Sequence, residues 1–257
     1  MTALLVDLGN TRIKWARFDG ERLSTPRAAA HSGWRAADYG RRLFGGRPAP
    51  ESVLVASVAG ARLDRQLATA ARRAGVQVRF VKVPRRAAGV TVGYLEPWRL
   101  GVDRFVAAVG AHHLFDGIAT CVVGVGTAMT IDLLGGDGAH RGGVIIPAPA
   151  LMVETLLRNT HGIRRRTRGG ALGASGLFGR STRAAVVQGS RYAAAALIDR
   201  AVEEARSLLG RNPLVVLTGG EAGAVRPLLR SRSVAVPDLV LTGLAVLSQG
   251  AKPHPAR

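Results

Sequence analysis

Short apolar runs broken by glycine-containing turns dominate the chain, and strand-like and helix-like periods alternate along it. Leu4-Leu5-Val6 reads as a buried strand running into a tight turn at Asp7-Leu8-Gly9-Asn10-Thr11. The apolar and polar alternation from Ile13 to Phe18 predicts the returning strand of a β-hairpin. Ser52 to Val58 is a second buried strand, Arg62 to Ala74 carries apolar positions at helical spacing, and Val76 to Val83 is a further strand. A helix is predicted over Leu100 to Leu114, with its stripe at Phe105, Val106, Val109 and Leu114.

From Thr120 the pattern begins again. Cys121 to Val125, the turn Gly126-Thr127 and Met129 to Leu134 repeat the strand, glycine turn and returning strand of residues 4 to 18. After the turn Gly135-Gly136-Asp137-Gly138 come a segment from Gly142 to Pro149, a helix from Ala150 to about Asn159 and a long helix from Thr182 to Leu209. Pro213 to Leu217 is a strand ending in Thr218-Gly219-Gly220, Val234 to Val236 a last short strand, and Leu239 to Gln249 a closing helix. The stretch from Arg164 to Arg180, rich in Gly and Arg and without a period, is expected as a mobile loop. The pattern therefore predicts an α/β chain of two similar domains, residues 1–116 and 117–250, facing each other across a cleft, with 251–257 as a tail.

Composition narrows the class. At 257 residues, 47% hydrophobic and 21% charged, the chain can bury a core in each half. The uncharged run from Ile118 to Ile131 falls short of the ~18 residues a membrane span needs, and the N-terminus carries no basic leader, so a cytoplasmic protein is expected. The single cysteine, Cys121, reads as a small buried hydrophobe, and its count excludes disulfides and zinc. The formal charge of +19 would also suit nucleic-acid binding. However, Lys14, Lys82 and Lys252 are the only lysines, and the arginine clusters at 35–42, 72–73, 85–86 and 164–168 are not interleaved with aromatics. Solvated faces or a funnel for a small anion fit that distribution better than a nucleic-acid groove.

Five motifs carry candidate chemistry. In Asp7-Leu8-Gly9-Asn10-Thr11-Arg12-Ile13-Lys14 a glycine allows close approach to phosphate, Asn10 and Thr11 supply donors, Lys14 a charge, and Asp7 an oxygen for magnesium. The same residues also read as an Asx-type hairpin turn. Tyr94 to Arg104 places Gly101 and Val102 ahead of an apolar helix, with Asp103 and Arg104 in its first turn, which suits an anion site or simple capping. Gly124-Val125-Gly126-Thr127-Ala128-Met129-Thr130-Ile131-Asp132 mirrors the first hairpin. Gly142-Gly143-Val144-Ile145-Ile146-Pro147 and Leu217-Thr218-Gly219-Gly220-Glu221 are glycine pairs beside apolar strands, which can admit an adenine ring or form ordinary turns.

Taken in order, with Ser57-Val58 and the closing Pro237-Asp238-Leu239-Val240-Leu241-Thr242-Gly243-Leu244, these motifs resemble the type III pantothenate kinases, the family that includes Bvg accessory factor proteins. The resemblance implies the duplicated actin-like fold of the acetate and sugar kinase superfamily. It also implies a homodimer and a nucleotide-binding transferase that moves the γ-phosphate of ATP onto pantothenate, the first step of coenzyme A biosynthesis. Carried over by position, residues 7–14 become the ATP-phosphate loop, with Asp7 near magnesium. Tyr94, Gly101, Val102, Asp103, Arg104 and Thr182 become pantothenate contacts, Asp103 the proton acceptor and Arg104 its catalytic neighbour. Thr127 falls at an ATP contact, and Gly219 and Gly220 on the adenosine side.

Three departures stand out, one of them the arginine-rich stretch from Arg164 to Arg180. The family supplies an aspartate at the position of Gly124, where it helps hold potassium or ammonium; here that carboxylate is absent, and weakened cation dependence is expected. Pro147-Ala148 replaces Pro-Gly, which is tolerated if φ at Ala148 is negative. His112 and His113 read as surface or interface residues. The rival readings are a transcriptional regulator that keeps the fold and another small-molecule kinase of the same superfamily. Retention of Asp7, Lys14, Asp103, Arg104 and Thr127 favours catalysis over the first, and Tyr94 and Thr182 favour pantothenate over the second.

Overall fold

In chain order the elements are β1 Ala3–Leu8, β2 Arg12–Phe18, β3 Arg27–Ala30, α1 Ala36–Tyr39, β4 Ser52–Ser57, α2 Ala61–Arg73, β5 Gln77–Phe80, β6 Arg86–Ala87, β7 Val90–Thr91 and α3 Val102–Leu114. They continue with β8 Thr120–Val125, β9 Ala128–Leu134, β10 His140–Pro147, α4 Pro149–Asn159, α5 His161–Arg166, α6 Thr182–Leu209, β11 Leu214–Thr218, α7 Ala222–Val225, β12 Ser233–Ala235 and α8 Leu239–Ser248. This computed structural model describes residues 2–46, 48–168 and 176–250.

Two five-stranded sheets have the same plan, β3-β2-β1-β4-β5 in one and β10-β9-β8-β11-β12 in the other. Each centres on a hairpin whose first strand also pairs in parallel with a later strand, β1 with β4 and β8 with β11. The registers correspond residue for residue. Leu8 opposite Ile13 and Asp7 opposite Lys14 in the first hairpin match Val125 opposite Met129 and Gly124 opposite Thr130 in the second. The duplication legible in the sequence is thus a duplication of strand order and register, and Gly124 occupies the sheet position of Asp7.

The chain divides into two compact units. Among the described residues, the first comprises those within 2–117, 137–140 and 238–250, and the second those within 118–136 and 141–237. The closing helix α8 belongs with the first unit. The reason is packing. α8 is apolar around most of its surface, and α3 accepts it closely because glycines stand at the crossing. A Cβ on Gly243 would lie 1.9 Å from the Val106 carbonyl oxygen, and one on Gly110 would lie 2.5 Å from that of Leu239.

In the first unit Leu4, Val6, Leu8, Ile13, Val53 and Val55 form one core with Tyr39, Leu43, Leu67 and Ala71 on one face of the sheet. In the second, Cys121, Val123, Val125, Ile131, Val215 and Leu217 pack against Ala194, Ile198 and Val202 of α6. Cys121 is buried, and burial followed by the Asp132 charge pushes its thiol up to about 12, so it serves as an inert hydrophobe.

Several elements depart from the pattern. β3, the β6–β7 hairpin and the π-helical turn Gly40–Phe44 carry no periodic signal. The expected loop from Arg164 to Arg180 is helical at its start, since Arg164, Arg165 and Arg166 lie in α5, where arginine's helix propensity is satisfied beside α4 and α6. Residues 169–175 of that stretch lie outside the described residues. The arginines are also less separate from aromatics than the sequence implies, with the Arg42 guanidinium 4.9 Å from the Trp34 ring centroid and that of Arg99 4.5 Å from Trp98.

Candidate active site

Alternation along β1 sends Leu4, Val6 and Leu8 into the core just described, so Asp7 faces the other side of the sheet, where α3 and α8 pack. Both helices begin near it. Asp103 is in the first turn of α3 and Asp238 is the N-cap residue of α8. Burial pushes the Asp7 carboxyl from 3.8 to about 7; the Asp103 charge adds to this, Lys14 opposes it, and Asp238 adds again. Lys14 pairs with Asp7 in the ladder, and its Nζ lies 3.4 Å from Asp238 Oδ1.

The turn between β1 and β2 is closed by Gly9 N–H donating to the Arg12 carbonyl at 3.0 Å, which leaves Asn10, Thr11 and Arg12 exposed at its tip. A Cβ on Gly101 would meet Asp103 Oδ1 at 2.7 Å, so only glycine leaves that carboxylate room. Asp103 Oδ1 accepts the Arg104 backbone N–H at 2.9 Å.

Arg104 is only 7% exposed although charged. Its Nη1 donates to Tyr94 Oη at 3.1 Å, and the guanidinium carbon lies 5.8 Å from the Tyr94 ring centroid. The Tyr94 ring in turn lies 5.6 Å from that of buried His140. Arg85 secures the segment, donating to the carbonyls of Val92 at 3.1 Å, Tyr94 at 2.6 Å and Leu95 at 2.5 Å. His112 is half-buried, with the glycine backbones at 89 and 138 against its ring; His113 is exposed. The first unit thus brings Asp7, Lys14, Asp103, Arg104 and Tyr94 together, adding Asp238, Arg85 and His140.

In the second unit, Gly126 N–H donates to the Ala128 carbonyl, and the Thr127 carbonyl accepts the Ala148 N–H at 3.2 Å. Ala148 has φ −69°, so alanine is unstrained there. Gly219, with φ +98°, packs where a Cβ would be 2.3 Å from the Val125 carbonyl oxygen, and Glu221 N–H donates to the same oxygen. The Thr127 turn, Ala148 and the Gly219-Gly220 turn therefore form one group. Thr182 stands apart from it at the start of α6, where it lines a groove of about 500 Å³ with Met152, Leu156, Ile163 and Val186. At Gly124 a Cβ would lie 3.0 Å from Thr130 Oγ1, and no carboxylate is supplied from this position.

Asp238 was readable as a helix N-cap ahead of an apolar run, but its partners lie at the opposite end of the chain. Arg85 and His140 carry no local signal at all.

Two equivalent sheets of the β3-β2-β1-β4-β5 kind, each opening on a glycine-turn hairpin, define an α/β protein of the actin-like sugar-kinase fold. A Sinorhizobium meliloti protein described as a 2-dehydro-3-deoxygalactonokinase superposes with a TM-score of 0.63 at 16% identity, covering 98% of this chain and 100% of that one. A Campylobacter jejuni protein described as a Baf-family transcriptional activator gives 0.58 at 18% identity, covering 96% and 98%. Residues 3–204 match the profile of the family described as type III pantothenate kinase. Type III pantothenate kinases of Xanthomonas campestris pv. campestris (strain 8004) and Azoarcus sp. (strain BH72) are 38% and 37% identical, over 95% and 98% of this chain and 96% and 94% of theirs. The chain belongs to the type III pantothenate kinase family, and it is a kinase.

Proposed function

We propose that this chain transfers the γ-phosphoryl group of ATP to the primary hydroxyl of pantothenate, the entry step of coenzyme A biosynthesis. The observation that carries the reading is the convergence of Asp103 and Lys14 on Asp7 at the end of β1, with Arg104 next to Asp103 on α3. The hydroxyl oxygen attacks the γ-phosphorus, the bond from that phosphorus to the bridging oxygen of ADP breaks, and the hydroxyl proton passes to Asp103. A carboxylate is far too weak a base to remove an alcohol proton in advance, so Asp103 orients the hydroxyl and accepts the proton late in a loose transition state.

Arg104 and Lys14 offset charge on the phosphoryl oxygens, and Tyr94 holds the Arg104 guanidinium in place. In the first unit the turn 7–14 is assigned to the nucleotide and Tyr94 and Gly101 to Arg104 to pantothenate; in the second unit the family resemblance assigns Thr127, Gly219 and Gly220 to the nucleotide and Thr182 to pantothenate. Asp103 and Asp238 repel the Asp7 charge, but among the described residues no three carboxylates or histidines are grouped to hold a metal by themselves; Asp7 would offer magnesium a single carboxylate, as suits an ion held mainly by phosphate and water. Asp7 would hold magnesium there through oxygen, and the ion would shield phosphate charge. The sheet position that mirrors Asp7 is Gly124, so weak dependence on potassium or ammonium is part of the proposal. So are a homodimer, as in the family resemblance, and a cytoplasmic location; no described helix is long and apolar enough to cross a membrane.

The deciding experiment is ADP release by purified protein with and without pantothenate, together with the mass of the product. Pantothenate-dependent ADP release, changing less than about threefold when sodium replaces potassium, is expected, since Gly124 supplies no carboxylate to hold the ion. No turnover with pantothenate under any cation overturns the reading, and salt-sensitive DNA binding in its place favours a regulator.

A further inference from the structure

His31 follows β3 and is only 1% exposed, yet the chemistry proposed above makes no use of it. Its Nε2 lies 2.7 Å from the Gly9 carbonyl oxygen and its Nδ1 lies 3.2 Å from Tyr39 Oη. A carbonyl oxygen can only accept, so Nε2 carries the proton, and Nδ1 accepts from the Tyr39 hydroxyl. The backbone N–H of the same residue reaches the Thr11 carbonyl at 3.4 Å. One buried residue therefore holds the turn at two carbonyls, those of Gly9 and Thr11.

The ring itself is boxed in. Trp34 stands edge-on to it with centroids 6.2 Å apart, Tyr39 is 6.4 Å away, and Trp34 and Tyr39 meet edge-on at 5.2 Å. Peptide planarity links this grip to the exposed tip. In a trans peptide the carbonyl and the following N–H point in opposite directions, so turning the Gly9 carbonyl toward His31 turns the Asn10 N–H away from it. Asn10 is exposed, and an N–H aimed outward from a glycine turn is an anion donor.

We propose that His31, locked by Tyr39 as the Nε2–H tautomer, is a positioning residue that holds the Gly9-Asn10 peptide in the orientation that binds the nucleotide phosphates. The proposal rests on the reading of residues 7–14 as the phosphate turn. It separates the two substrates, because the grip acts on that turn and not on Tyr94, Asp103 or Arg104.

The test is steady-state kinetics of His31→Gln, His31→Asn and His31→Phe with each substrate varied. A glutamine amide nitrogen can stand near Nε2 and keep the Gly9 bond, whereas an asparagine amide reaches only the Nδ1 position. KM for ATP is expected to rise about tenfold in His31→Phe and His31→Asn, the order expected for one buried hydrogen bond. It should return to within about threefold of wild type in His31→Gln, with KM for pantothenate changed less than about twofold throughout. Tyr39→Phe keeps the ring packing and covers the case in which His31 variants do not fold; its KM for ATP should rise about threefold. Nitrogen-15 spectra of the wild type should show the Nε2–H tautomer with and without ADP.

An unchanged ATP KM in folded His31→Phe, equal losses for both substrates, or the Nδ1–H tautomer would overturn the proposal. Lys14→Ala serves as the control on the underlying reading. If it raises KM for ATP while His31→Phe does not, the His31 role fails alone; if it too leaves that KM unchanged, the phosphate-turn reading fails with it.

Discussion

Lys14 and Asp238 are separated by 224 positions in the chain, yet Lys14 Nζ sits 3.4 Å from Asp238 Oδ1 beside Asp7. The two side chains are 26% and 35% exposed, so the pair contributes at most about 1 kcal/mol to stability. Its weight lies in the local charge. Asp238→Asn removes one negative charge from the group around Asp7, and the magnesium concentration for half-maximal activity should rise several-fold. Thermal unfolding should change by less than about 1 kcal/mol. A magnesium titration of both proteins at fixed ATP checks this, and identical curves would count against a cation at Asp7.

The raised Asp7 carboxyl makes a pH prediction for the protein without ligands. Its folded pKa of about 7 lies above the reference 3.8, so the folded state holds an extra proton between those values. The contribution to stability is present below the reference value and is lost as pH rises through about 7, with a slope of at most about 1.4 kcal/mol per unit. Urea unfolding at pH 5 and pH 8 should show a larger loss in wild type than in Asp7→Asn. Parallel losses would refute the assignment.

Asp103→Asn keeps the shape of the first turn of α3 and removes the proton acceptor. We expect kcat to fall about 100-fold or more, and KM for either substrate to shift less than about threefold. A rise in KM with unchanged kcat would make Asp103 a binding residue only.

Glycines at the α3–α8 crossing should tolerate no side chain. Gly243→Ala forces a Cβ to within 1.9 Å of the Val106 carbonyl, and a loss of about 3 kcal/mol or more is expected in chemical denaturation. Gly189, inside α6 with no atom within 4 Å of an added Cβ, is the contrast: Gly189→Ala should stabilise by about 0.5–1 kcal/mol.

Local features of the fold were readable because their physics is local. The first hairpin and its repeat follow from period-2 alternation around glycine turns, and α6 spans Thr182–Leu209 as its periodicity predicts. β3 was not readable: Arg27–Ala30 has poor strand propensity and is extended because it pairs with β2. The helical start of the Arg164 stretch was hidden for a related reason, since α5 has no apolar stripe of its own and forms beside α4 and α6.

The site divides in the same way. Asp7, Gly9, Lys14, Gly101 and Asp103 are chemically distinctive residues at turn and helix-start positions, and the sequence alone determined them as candidates together with the duplicated α/β plan and the family. Tertiary structure decided which face of β1 Asp7 occupies, that α8 returns to bring Asp238 to Lys14, and that His31 lies beneath Gly9. Those contacts depend on the burial of apolar faces by elements far apart in the chain, and no local window of sequence contains both partners.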